Sequence, residues 1–209
     1  MLTENEDVRG DESPSLDTGR PPSIETLNAN QRARRQRIVD AALAMMLVTD
    51  HSGIQMKAVS AAAGVALGTT YRYFPSKDQL LAEALAAWAD GFPHFEARAA
   101  EGRSVDRLKA VYRLVVRAFE PHPTMYAAMA MLETSADPVV VDTFERFARR
   151  TRSGLSEAIP RVGSPRRENV VMVMSSVLDN QLRHWSLGLV PAESVHHALD
   201  VTAELLLGD

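Results

Sequence analysis

The chain has 209 residues, room for one large domain or two small ones; 45% are hydrophobic and only 6% aromatic, a balance that favours helices. Cysteine is absent, which excludes disulfides, thiolate metal sites and a cysteine nucleophile, and no apolar run approaches the roughly 18 residues of a membrane span. The net charge of −4 is unpromising for a nucleic-acid partner, but it divides unevenly: −5 over residues 1–30, +5 over 31–77 and −4 over 78–209. A short basic segment on an acidic body is the electrostatic footprint of a nucleic-acid module.

Residues 1–29 hold Pro14, Pro21 and Pro22, many acids and no apolar period, and read as a disordered acidic tail. The opening Met1–Asp7 is acidic and lacks an apolar core, unlike a signal peptide, so the expected location is the cytoplasm. From Asn30, a candidate N-cap, a first helix carries Ile38, Ala41, Ala42, Met45 and Met46 at helical spacing and ends at His51-Ser52-Gly53. A second runs from about Met56 to Ala63 and breaks at Gly64; a third runs from about Leu67 to Tyr73 and stops at Pro75-Ser76. Ser76 can cap a fourth helix bearing Leu80, Leu81, Ala84, Leu85 and Trp88.

Beyond Pro93 a fifth helix carries Val105, Leu108, Val111, Tyr112, Val115 and Phe119. The stretch Met125 to Leu132 is apolar on every face and is expected to be buried all round. Further helices span Val139 to Ile159, Pro165 to about Trp185, and Val195 to Leu206. No alternating strand pattern of useful length intervenes, so the expected class is all-α with about nine helices: an N-terminal three-helix helix-turn-helix domain over 30–77 and a helical ligand-binding and dimerisation domain over 78–209.

The second and third helices form the candidate helix-turn-helix. Its turn needs a residue free to take positive φ, which Gly64 supplies, and its close crossing needs small side chains such as Ser60, Ala62 and Ala63. Leu67, Gly68, Tyr71 and Arg72 share the face that would enter a major groove, with Thr69 and Tyr73 towards the phosphates. Lys77 opens the fourth helix, where a cation and backbone N–H groups can grip a phosphate. Arg32, Arg34, Arg35 and Arg37 form a basic arm that reaches phosphate or minor groove, or else is a solvated helix start.

The run from Gly64 to Lys77 resembles the signature of TetR-family repressors, in which a Gly-Val turn is followed by Thr-x-Tyr-x-x-Phe and a Ser-Lys or Asn-Lys pair. The resemblance covers about a quarter of the chain. It implies DNA contact by Lys57, base-proximal positions for Leu67, Gly68, Tyr71 and Arg72, and phosphate contacts for Thr69, Tyr73 and Lys77. It departs from the family at Ala66, where a Ser or Thr cap is usual, at Leu67, often polar, and at Thr70, usually aliphatic. Within the family, Gln55–Val59, Tyr71–Lys77 and Leu205–Asp209 resemble actinobacterial repressors of sterol catabolism, which implies a steroid or bulky acyl-CoA inducer.

In the body, Trp88, Phe92, Met125, Met129, Met172 and Trp185 are flexible or aromatic groups suited to an adaptable pocket for a small apolar or amphipathic ligand, and equally to ordinary core. Asn180, Gln181 and His184 interrupt an apolar helix; they orient a ligand, face solvent or face a partner. The last two long helices are expected to form a homodimer interface through Val177, Gln181, Leu199 and Leu206, giving double-stranded operator DNA two half-sites to meet. No phosphate loop, nucleophile elbow or dinucleotide fingerprint is present, and only His196 and His197 lie close among six histidines, on diverging helix faces. The expectation is therefore no enzyme, catalytic residue, metal, cofactor or membrane partner. The alternatives are a small-molecule binding protein and a DNA-binding protein without induction.

Overall fold

The computed structural model describes residues 24–91 and 102–208. Among them are nine α-helices and no strand: α1 (Ala29–Met46), α2 (Met56–Ala62), α3 (Leu67–Tyr73), α4 (Lys77–Asp90), α5 (Ser104–Phe119), α6 (Pro123–Leu132), α7 (Pro138–Glu157), α8 (Arg166–Ser186) and α9 (Ala192–Leu207). A single 3-10 turn, Ile24–Thr26, precedes them. The all-α expectation holds, and most of the expected acidic tail, residues 1–23, lies outside the described residues.

Local chemistry sets the helix ends. The N-cap of α1 is Asn28 rather than the expected Asn30: its side chain accepts from the Gln31 N–H at 2.9 Å while Gln31 Oε1 accepts from the Asn28 N–H at 2.9 Å. Reciprocal capping satisfies two otherwise orphaned donors, and Asn30 lacks the partner that makes it possible. Structure therefore begins before residue 30, with Leu27 already buried. Ser76 caps α4 by accepting from the Gln79 N–H, and Asp137 caps α7 by accepting from the Val139 N–H.

Helices α1 to α4 cluster at one end, where α1 packs on α2 and α4 and α2 packs on α3; α4 then continues into the body against α6 and α7. The remaining helices bury one apolar stripe each, and α9 packs between α5 and α8. Helix α6 is not buried all round: Met125, Tyr126, Ala128 and Leu132 face the core while Ala127 and Met131 are exposed. Its ten residues lie against α8, α4, α1 and α5, which leaves Ala127 and Met131 facing outward. No helix among the described residues is long and apolar enough to cross a membrane.

Candidate nucleic-acid interface

The helix-turn-helix is built by one glycine and two hydroxyls. Gly64 adopts φ +65°, and its N–H donates to the Ala61 carbonyl while the Val65 N–H donates to the Ser60 carbonyl at 3.0 Å. This paired return bonding after α2 is the Schellman termination, which requires the left-handed conformation that glycine adopts without a steric penalty. Where α2 crosses α3, buried Ser60 and buried Thr70 join hydroxyls at 2.8 Å, and Ser60 also donates to the Met56 carbonyl at 2.7 Å. Thr70, unusual for an aliphatic position, thus has its partner in Ser60. The signal was available in the sequence as a small hydroxyl on each side of the turn.

With Thr70 and Tyr73 turned inward, α3 presents Leu67, Gly68, Tyr71 and Arg72 to solvent, the four positions expected on the groove face. Open space surrounds the position a Gly68 Cβ would take, so this face is unobstructed. Thr69 is half-buried at its edge, and Lys57 on α2 is exposed. Neither α2 nor α3 has a side-chain cap.

Three expected contacts stand differently. Tyr73 is only 2% exposed and its hydroxyl is enclosed without a hydrogen-bond partner, so it wedges the domain interior and has no surface for a phosphate. Arg35 is an internal clamp: its guanidinium lies 4.8 Å from the Phe74 ring centroid and bonds Glu83 at 2.8 Å. Arg34, half-buried on the same helix, makes no ion pair among the described residues and remains the available cation of the two. Lys77 donates one N–H to the His51 carbonyl at 2.9 Å, and His51 meets Asp78 at 2.9 Å; the lysine thereby ties the turn before α2 to the start of α4 while two donors stay open.

The body redistributes the expected ligand residues. Trp88 packs edge-on to Phe119 at 4.9 Å, Phe119 packs on Tyr126 at 5.8 Å, and Met125 is fully buried, with Met129 and Trp185 partly buried against the same core. Met172 and Asn180 do not join them: both lie on the outer stripe of α8, whose inner stripe is Val170, Val171, Met174 and Leu182. Phe92 lies outside the described residues. The buried hydroxyls of this core are already paired. Tyr112 meets Ser175 at 3.1 Å, and burial pushes its phenol up to about 12; Tyr126 donates to Asp179 at 2.6 Å, and burial, then that bond, hold its phenol well above the ordinary range. Two clefts formed by described residues lie elsewhere, one between α5 and α9 and one of about 210 Å³ between α6 and α7.

Of the expected dimer residues, Val177, Gln181 and Leu206 are half-buried, but Leu199 is 1% exposed inside its own chain. Val195, Leu199 and Ala203, spaced by four, form the inward stripe of α9. Its outward apolar residues are Val201 and Leu205, the latter 81% exposed. No group of three or more metal-ligating side chains occurs among the described residues.

Sequence reading also missed a polar junction where the helix-turn-helix meets the body. Glu83 of α4 bonds Arg35 of α1 and, at 3.2 Å, Arg146 of α7, while the Gln79 amide donates to Asp137 at 2.9 Å. Only contacts across 48 and more positions reveal it.

Comparison with known proteins agrees with this geometry. Residues 38–84, from α1 into α4, match the family described as bacterial regulatory proteins, tetR family. The chain is 33% identical to the HTH-type transcriptional repressor KstR of Rhodococcus jostii, over 86% of this chain and 85% of that one. It is 32% identical to KstR of Mycolicibacterium smegmatis, over 85% and 89%. Among solved structures, a TetR transcriptional regulator from a Rhodococcus species superposes with a TM-score of 0.71 at 23% identity, covering 85% of this chain and 97% of that one. Thermus thermophilus FadR, a repressor crystallised with lauroyl-CoA, superposes with a TM-score of 0.66 at 18% identity, covering 83% and 94%.

Proposed function

The chain belongs to the TetR family of bacterial regulatory proteins, and from that premise we propose that it is a ligand-responsive repressor. In this reading it binds a palindromic operator as a dimer and is released by a small apolar or amphipathic inducer. Residues 30–77 carry DNA binding, and residues 78–209 carry dimerisation and the ligand. The observation that supports it best is the recognition face. Leu67, Gly68, Tyr71 and Arg72 stand exposed on one side of α3, flanked by Lys57, which makes no ion pair among the described residues, while the turn behind them is locked. Tyr71 and Arg72 read base edges, Leu67 meets a thymine methyl, and Arg34, Lys57, Thr69 and Lys77 hold phosphate.

Dimerisation is supported by apolar groups left outside both terminal helices: Met172 on α8, Val201 and Leu205 on α9. Joined with Val177, Gln181 and Leu206, they suit a four-helix interface. Operator binding by such a dimer requires its two recognition helices about 34–36 Å apart. The inducer class is supported by two neighbours in fold: FadR proteins of Thermus thermophilus and Bacillus subtilis have been crystallised with lauroyl-CoA and stearoyl-CoA. A long acyl-CoA or a steroid derivative is the first class for this chain, held near Trp88, Met125, Met129 and Trp185.

The test is selection of duplexes from a random pool by the purified full chain. An inverted repeat should be enriched, and its binding should weaken steeply with salt. Failure to enrich any sequence would refute specific DNA binding. Lauroyl-CoA and a cholesterol-derived CoA thioester are then titrated with and without that duplex. An inducer loses affinity on DNA by the factor it takes from the operator, roughly 5- to 150-fold for ordinary couplings. A compound bound equally in both cases is not an inducer.

A further inference from the structure

The Glu83 carboxylate joins two helices, one oxygen to each. Oε2 accepts from Arg35 of α1, inside the DNA-facing end, at 2.8 Å; Oε1 accepts from Arg146 of α7, in the body, at 3.2 Å, and from the Thr143 hydroxyl of the same helix at 3.5 Å. One turn earlier on the same face of α4, Gln79 donates to Asp137 at the cap of α7. Helix α4 is thus gripped by α7 through polar contacts at two successive turns, and a polar contact is either made or broken.

The two halves of the Glu83 junction are unequal. Arg35 is 11% exposed, backed by the Phe74 ring, and Glu83 is its one carboxylate partner among the described residues; parting them would leave a nearly buried cation unpaired, a costly state. Arg146 is 54% exposed and has other partners ready, Asp142 at 3.3 Å and the Thr143 hydroxyl at 3.1 Å, so it can leave Glu83 without becoming an orphan. The Gln79 contact is also incomplete, because its amide oxygen is enclosed with no partner. The junction therefore opens on the α7 side while Arg35 keeps α4 attached to the DNA-facing helices.

We propose that Glu83 is a positioning residue for operator recognition: bridging Arg35 and Arg146, it sets the angle at which the helix-turn-helix leaves the body, and Arg146 is the half that releases. The proposal rests on the reading of a dimer on two half-sites. Small angles suffice there. Helix α4 has 14 residues. Tilting such a helix, ~21 Å long, by ~5° moves its end ~2 Å, against a base-pair rise of about 3.4 Å.

The test uses the full chain and the half-site it selects from a random pool, placed as inverted pairs with spacers stepped one base pair at a time. Wild type should prefer one spacing sharply. Arg146→Met keeps the aliphatic stem and lies away from the DNA face. It should bind a lone half-site within about twofold of wild type, yet lose its preference for the best spacing by on the order of fivefold, the size of a network contact. Arg146→Lys should restore part of the preference. Glu83→Gln should broaden the profile further; if it fails to fold, Arg146→Met still decides. An Arg146→Met profile as sharp as wild type overturns the proposal, as does uniform weakening at every spacing with a lowered melting point, which marks a merely structural contact. A wild-type chain that enriches a half-site but shows no spacing preference overturns the dimeric reading and this inference with it; failure of Arg146→Met alone leaves the dimeric reading standing.

Discussion

The DNA-facing end and the body hold their helices by opposite means. Helices α2 and α3 have seven residues each, too few to persist alone, and each is held by single groups: Gly64 at the turn, Ser60 on Thr70 at the crossing, Arg35 and Phe74 at the exit. The body uses helices of up to 21 residues, α5 and α9 bury long apolar stripes, and many contacts share the burden. The first region is specified residue by residue and the second by pattern. Mutations should therefore act sharply and individually at one end and diffusely at the other.

The largest effect should come from Phe74→Ala. It removes a side chain 1% exposed and the ring beneath Arg35, for about 3–5 kcal/mol of stability, compared with about 2–5 kcal/mol for Leu108→Ala in the body. The two regions share α4, so urea unfolding should remain one transition in both variants. Trp88 and Trp185, the chain's two tryptophans, both report from outside the helix-turn-helix. If circular dichroism falls before their fluorescence in Phe74→Ala, the DNA-facing end melts on its own and the shared core does not couple them.

The hydroxyl bridge comes next. Ser60→Ala strands the buried Thr70 hydroxyl and should cost about 1–3 kcal/mol; Thr70→Val removes a donor and should cost about 0.5–1.5 kcal/mol. The double variant should cost less than the two combined, because neither group is then left unpaired. Strict additivity in denaturation would mean the bridge does not form. Gly64→Ala follows: nothing lies within 4 Å of the added Cβ, so the loss is the backbone's alone, about 1–2 kcal/mol. A larger loss would show that the turn packs against something.

The same contrast explains what the sequence made legible. Gly64, Ser76 and the exposed quartet of α3 follow from local rules of turn, cap and period, and they stand as expected. Asn28 was missed in favour of Asn30 because a reciprocal cap depends on what stands three residues later. Tyr73, a phosphate position by family resemblance, and Arg35, part of the basic arm, turn inward because inward and outward positions look alike in one dimension; Glu83, the partner of Arg35, is remote in sequence. In the body, period gave helices but not faces. Leu199 and Met172 exchanged their expected environments because each terminal helix has apolar residues on two sides, and only packing decides which turns inward.

The smallest effect tests the contrast with one chemical change made in the body and at its junction with the DNA-facing end. Glu133, exposed at the end of α6, has its carboxyl held above the ordinary range, first by partial desolvation and then by the nearby Asp179 carboxylate, with Arg183 opposing. A carboxyl whose folded pKa is raised binds its proton more readily in the native state. Its contribution therefore favours folding below the unfolded pKa, near 4.5, and is lost as pH rises through the folded value. At neutral pH the ionised group weighs against the fold. Glu133→Gln should then be more stable than wild type at pH 7, by less than about 0.5 kcal/mol, with the gap closing towards pH 4. Glu83→Gln, the same replacement, should act with the opposite sign at neutral pH, because there the carboxylate answers two arginines. Melting temperatures across pH 4–8 separate the cases. If Glu133→Gln destabilises at pH 7, an unrecognised cation holds Glu133, and the body too contains a site specified by a single pair.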